Sequence, residues 1–187
     1  MKKLIISCVV FAHFFTGIHA QEKLNINKST SSIHWYGYYT FYFGGHNGTV
    51  NLEDGYFIKT GNHITGGEFV INMNSLTSTD MDNAKANQSL TEHLKDPDFF
   101  DVARYPKAKL VITKVTYHDP THMKIDADLT IKGITEPISF EAEVNFVTQQ
   151  FMTKFKIDRM RWGVSYNSKV RDGAISDAIG FEITLSL

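Results

Sequence analysis

His118 and His122 stand four residues apart, the spacing at which two imidazoles on one helix face can share a metal ion. Asp119-Pro120 lies between them and makes the segment a turn, so the spacing loses its meaning. Asp80 and Asp82 look like part of a calcium loop, but the glycine and distal glutamate that would complete one are missing. No metal and no cofactor are expected. The acids Glu141 and Glu143 fall on the polar side of an alternating stretch, where water screens them. Asp96, Asp98 and Asp101 read as turn and cap residues. There is no Gly-x-Ser-x-Gly elbow and no metal-hydrolase helix, and the one thiol, Cys8, sits in an apolar amino-terminal run. The chain does not read as an enzyme.

The elements that would carry these residues are strands. Met123, Ile125, Ala127, Leu129 and Ile131 alternate with polar partners, as do Ile138, Phe140, Ala142, Val144 and Phe146, and again Ile179, Phe181, Ile183 and Leu185. A period of two means strands with one buried and one wet face. Weaker alternation covers Ile33 to Trp35, with Tyr39, Phe41 and Phe43 continuing the phase. It recurs at Phe69, Ile71 and Met73, over Ala108 to Tyr117, and at Phe151, Phe155 and Ile157. Thr49–Glu53 and Tyr56–Lys59, joined by Asp54-Gly55, read as a hairpin. A helix is expected from Asn83 to Lys95, then a short helical turn over Phe99–Ala103 capped by Asp98.

One short helix cannot cover so many one-faced strands, so the faces must cover one another. The expectation is all-β: an antiparallel barrel of about eight strands with a short helical insert. The interior of such a barrel is filled by side chains or holds one slender ligand. Alternation alone does not choose between the two. An outer-membrane barrel with apolar residues outward also fits a period of two, but the helical insert would interrupt spanning hairpins.

Residues 1–20, MKKLIISCVVFAHFFTGIHA, have a basic start, an apolar run of 12 residues from Leu4 to Phe15, and Ala20 at a plausible cut. They read as a secretory signal peptide, too short for a membrane span. Residues 21–187 would then form a single cysteine-free domain, periplasmic or secreted, with 17 basic and 20 acidic side chains. That balance argues against a nucleic-acid partner.

Residues 90–106 (LTEHLKDPDFFDVARYP), 129–140 (LTIKGITEPISF) and 157–163 (IDRMRWG) follow one another in order, after GHNGTV at Gly45–Val50 and GGEFVINMNSL at Gly66–Leu76. Together these blocks closely resemble the YceI-like family of exported proteins, over about residues 31–187. The GHNGTV and GGEFVINMNSL blocks look like its Bacteroidetes-type branch. The resemblance implies a lipocalin-like barrel with a long apolar cavity for polyisoprenoid chains, such as polyprenyl phosphates or isoprenoid quinones, or other amphiphilic lipids. It brings no catalytic residues. Where many members carry a histidine early in the second strand region, this chain has the aromatic run Tyr38 to Phe43.

Under that reading the cavity wall comprises Phe41, Phe43, Phe69, Ile71, Leu129, Ile131, Phe140, Ala142, Phe155, Phe181 and Ile183. Leu90, Leu94, Phe99 and Phe100 would seal or gate the helical end. Burying a tail of about 40 carbons at roughly 0.8 kcal/mol per CH₂ gives on the order of 30 kcal/mol gross, well above any real affinity. Tail burial therefore suffices without a charged clamp. For a phosphate or quinone head the candidates are His46, Lys132, Arg159 and Arg161, the arginines offering a two-pronged fork. Arg161 beside Trp162 equally reads as a stacked surface pair, and exterior ion pairs account for such cations in the ordinary way. A ligand-free barrel serving as an interaction module is the alternative, with an enzyme acting on a lipid behind it, and a homodimer suits either of the first two readings.

Overall fold

The computed structural model describes residues 20–41, 43–166 and 174–187. The expected signal peptide, up to His19, lies outside the described residues. The strands are β1 (Gln21–Asn25), β2 (Asn27–Tyr39), β3 (Gly45–Thr60), β4 (His63–Ser78), β5 (Lys107–Tyr117), β6 (His122–Ile131), β7 (Ile134–Asn145), β8 (Gln150–Asp158) and β9 (Ile175–Ser186). One α-helix, α1 (Ala84–Lys95), follows β4, and a 3₁₀ turn (Arg159–Trp162) follows β8.

Every neighbouring pair from β2 through β9 is antiparallel, and β3 bonds both β2 and β4, so these eight strands close into a barrel. β1 pairs with the far half of β3 and continues the line of β2. The break between them is Ile26, whose N–H donates to Gly55 O at 3.1 Å. The β7–β8 seam is paired only over Ala142–Asn145 and Gln150–Thr153, so the first part of β7 has no β8 partner. Up-and-down connectivity also gathers α1, the 3₁₀ turn, the β2–β3 tip and the β6–β7 turn at one end of the barrel.

The alternation expected for β6, β7 and β9 is present, with Met123, Ile125 and Val144 fully buried. The outward faces of β6, β7 and β8 carry charge: Lys124, Glu141 and Lys154 are exposed. An outer-membrane barrel would instead show lipid an apolar exterior. None of the described helices is long and apolar enough to cross a membrane.

Three local expectations need correction. β3 runs straight through Asp54-Gly55, which is a bulged stretch of strand and not a hairpin turn. Gly55 lacks the positive φ of a two-residue hairpin turn; its reason is space, since a Cβ there would lie 2.6 Å from Phe69 Cδ1. The true turn comes at Gly61, with φ 59°. Phe99–Ala103 is not helical. It forms successive turns in which the Phe99 and Asp101 N–H groups donate to Asp96 O, and Asp101 is left-handed at φ 48°. The third correction concerns Phe41 and Phe43. β2 ends at Tyr39, so its phase does not carry them inward, and they are 76% and 109% exposed at the tip.

Helix α1 agrees with its expected span to within its cap. Asn83 accepts the N–H groups of Lys85 and Ala86, and basic His93 and Lys95 stand in the last turn, as the helix dipole favours. The helix packs on β4 through Leu90 and Leu94, and Thr91 Oγ1 accepts the Ser78 N–H at 3.0 Å.

Candidate functional site

Inside a close-packed barrel, inward side chains should have almost no accessible surface. Several here keep some. Leu52, Ile71, Leu110, Phe155, Phe181 and Ile183 point inward from five strands yet are only partly buried. They border a cavity of about 350 Å³. That lies at the lower end of the roughly 300–1,000 Å³ found for small-molecule sites. Its wall is almost wholly carbon. Phe140, Phe155 and Phe181 stack in a row along β7, β8 and β9, at centroid spacings of 4.6 and 5.4 Å. Rigid rings of this kind give a large contact area at little entropic cost.

Of the eleven side chains expected on the wall and the three expected beside Leu90 at its helical end, eleven in all border the cavity: Phe69, Ile71, Leu94, Phe99, Phe100, Leu129, Ile131, Phe140, Phe155, Phe181 and Ile183. Leu90 joins them from α1. Ala142 is buried but does not reach the cavity, and Phe41 and Phe43 face outward. Sequence reading missed Trp35, Leu52, Phe57 and Leu110, which line it as well. Leu52 and Leu110 were findable, because each lies two residues from buried apolar neighbours, Val50 for Leu52 and Ala108 and Ile112 for Leu110.

The cations divide differently from the expectation. Arg161 lies outside the barrel, donating to Glu136 Oε2 at 2.8 Å and Pro137 O at 2.9 Å, with Trp162 beneath it. Lys132 also lies away from the cavity. It sits in a tight turn with Gly133, both at positive φ, and its Nζ donates to Gly163 O. Arg159 does reach the wall and is 1% exposed. Its guanidinium donates to Ser176 O, Val164 O and Asp177 Oδ1, so it ties the 3₁₀ turn to β9. Beside it, fully buried Trp162 donates its indole N–H to Leu129 O at 2.9 Å.

His46, at the start of β3, lines the same end. The β2–β3 register sets Gly37 opposite His46, and the Tyr39 hydroxyl lies 2.7 Å from His46 Nε2. His46 Nδ1 is 3.0 Å from Asp80 Oδ2, and Asp80 Oδ1 accepts from Ser78 Oγ at 2.8 Å. Burial pushes the Asp80 carboxyl up, but hydrogen bonds from Ser78 and His46 outweigh it and hold it below the ordinary carboxylate value. Apart from Thr153, whose hydroxyl donates to Glu141 O, the polar groups named on the wall gather at the helix end, where Tyr39, His46, Tyr166, Ser176 and Arg159 stand.

A family model described as the YceI-like domain matches residues 24–187. The chain belongs to the YceI-like family. Among curated relatives, a UPF0312 protein of Shewanella denitrificans is 30% identical over 95 residues, covering 51% of this chain and 47% of that protein. One of Pseudomonas putida is 39% identical over 54 residues, 29% of this chain and 28% of its own length. These alignments therefore span less than half of the relatives they match. Among solved structures, Burkholderia cenocepacia BcnA superposes with a TM-score of 0.69 at 16% identity, covering 87% of this chain and 99% of that one. A Campylobacter jejuni YceI protein gives 0.52 at 17% identity, covering 100% and 99%. At such identities the likeness shows the fold: this is a YceI-type barrel. Family and fold support a role in binding a small apolar molecule.

Proposed function

We propose that the barrel binds and carries a single-tailed amphiphile, an isoprenoid, with its tail along the Phe140–Phe155–Phe181 row and its head at the helix end. The observation that carries this reading is a cavity walled almost entirely by carbon, inside a barrel whose other inward side chains are packed. A carbon-lined cavity offers a tail contact without the cost of stripping water from polar groups. No residue needs to do chemistry on the ligand. The proposed contacts are the eleven wall residues named above, with Leu90, Leu94 and Phe100 closing over the bound tail. The polar head classes that suit the family are a polyprenyl phosphate and an isoprenoid quinone. Residues 1–20 would direct the chain out of the cytoplasm, which sequencing the amino terminus of the exported protein checks.

The size of the cavity makes tail length a sharp test. Purified protein stripped of lipid is loaded with a fluorescent polyene fatty acid and titrated with farnesol, geranylgeraniol and solanesol. Competitive displacement that depends on tail length supports the reading. No uptake of the fluorescent lipid, and no displacement by any of the three, would contradict it.

A further inference from the structure

The hydrogen bonds among Tyr39, His46 and Asp80 have a direction. An ionised carboxylate only accepts, and Asp80 is held below its ordinary value by its bonds to Ser78 and His46. The proton between Asp80 Oδ2 and His46 Nδ1 therefore belongs to the ring nitrogen. In the neutral ring the other nitrogen, Nε2, then carries no proton and must accept. The Tyr39 hydroxyl consequently donates to it, across 2.7 Å. Each donor in the row points toward Asp80. The Tyr39 oxygen, now without its proton for any ligand, offers lone pairs alone.

We infer that Tyr39, His46 and Asp80 form a head-group subsite for a neutral hydroxyl, such as a prenyl alcohol or hydroquinone, received as a donor by the Tyr39 oxygen. This rests on the tail-binding reading above and narrows its head group. Tyr39 and His46 both border the cavity, while the Asp80 side chain stands behind His46 and is 15% exposed. A phosphate fits poorly at these three residues, because a dianion has no proton to give to lone pairs backed by a carboxylate. The wall's one arginine among the described residues does not supply a clamp there, since Arg159 bonds Ser176, Val164 and Asp177. The histidine orients the tyrosine, and the aspartate orients the histidine. Only Tyr39 touches the ligand.

Geranylgeraniol and its methyl ether separate head from tail, because they share the tail and only the alcohol donates. At pH 8, lipid-stripped protein should bind the alcohol about fivefold more tightly than the ether, the worth of one net hydrogen bond. Geranylgeranyl phosphate should bind more weakly than the alcohol. In Tyr39→Phe the alcohol and ether should bind within twofold of each other, the ether's own affinity unchanged. Asp80→Asn supplies a second, independent arm. With its oxygen kept on Ser78 it turns an amide N–H toward His46 Nδ1, which reverses the row and frees the Tyr39 proton for a ligand. Its preference for the alcohol should then vanish, the two ligands binding within twofold of each other, because both oxygens accept from a donating Tyr39. Equal binding of alcohol and ether by the unsubstituted chain would overturn the subsite while leaving tail binding intact. So would a tenfold preference for the phosphate. Failure of all three ligands to bind would instead remove the tail-binding reading itself.

Discussion

Ile64 and Ile183 carry the same side chain on inward strand positions, yet only Ile183 borders the cavity. Truncating each to alanine asks whether the interior is hollow. Removing three carbons forfeits about 2.4 kcal/mol of transfer energy at roughly 0.8 kcal/mol per carbon. It also opens about 80 Å³, which at about 24 cal/mol per Å³ adds about 2 kcal/mol if the site was closed. Ile64 is 0% exposed, so both penalties apply and Ile64→Ala should cost about 4 kcal/mol. Ile183 is only partly buried and already faces empty space. Its transfer loss is about half as large, and no new enclosed wall forms, so Ile183→Ala should cost about 1–2 kcal/mol. Urea unfolding of lipid-stripped protein measures both through their midpoints at constant m. Equal costs would mean that side chains fill the space beside Ile183, and the cavity argument would fail.

Further outcomes follow from the same geometry. Leu110→Trp, which puts an indole into the space lined by Phe69 and Phe155, should weaken binding of a fluorescent lipid at least tenfold while circular dichroism stays unchanged. Phe41→Ser and Phe43→Ser should each shift stability by no more than about 0.5 kcal/mol in urea, because both rings lie in solvent. Folding depresses the Asp80 carboxyl, so its contribution is present in full above the unfolded value of about 3.9 and is lost as the pH falls through the lower folded value. The stability gap between the unsubstituted chain and Asp80→Ala should therefore narrow between pH 6 and pH 3, as urea midpoints at the two pH values will show.

Period-two alternation made β6, β7 and β9 legible, because inward apolar residues recur at every second position over Met123–Ile131, Ile138–Val144 and Ile179–Leu185. Asp54-Gly55 misled because its residue types are those of a turn. What decides the matter is a distant ring, Phe69, that leaves room for no side chain at Gly55. The Phe99–Ala103 segment misled in the opposite way, for its spacing suits a helix while Asp101 takes a left-handed backbone. Phe41 and Phe43 kept a phase on paper that the strand itself abandons after Tyr39. The row from Tyr39 through His46 to Asp80 was the least legible part. His46 and Asp80 are 34 residues apart, and only the registers of β2, β3 and β4 bring them together. A hollow interior was equally hidden, since a filled and an empty barrel show the same alternation.

A carrier barrel should hold one apolar-tailed molecule in its interior. Native mass spectrometry of freshly purified protein, with the denatured mass taken from the same sample, tests it most directly. A single extractable species of one-to-one stoichiometry is expected in the unsubstituted chain, absent from Leu110→Trp. A bare mass in both proteins, after purification without detergent and after incubation with isoprenoid vesicles, would contradict it.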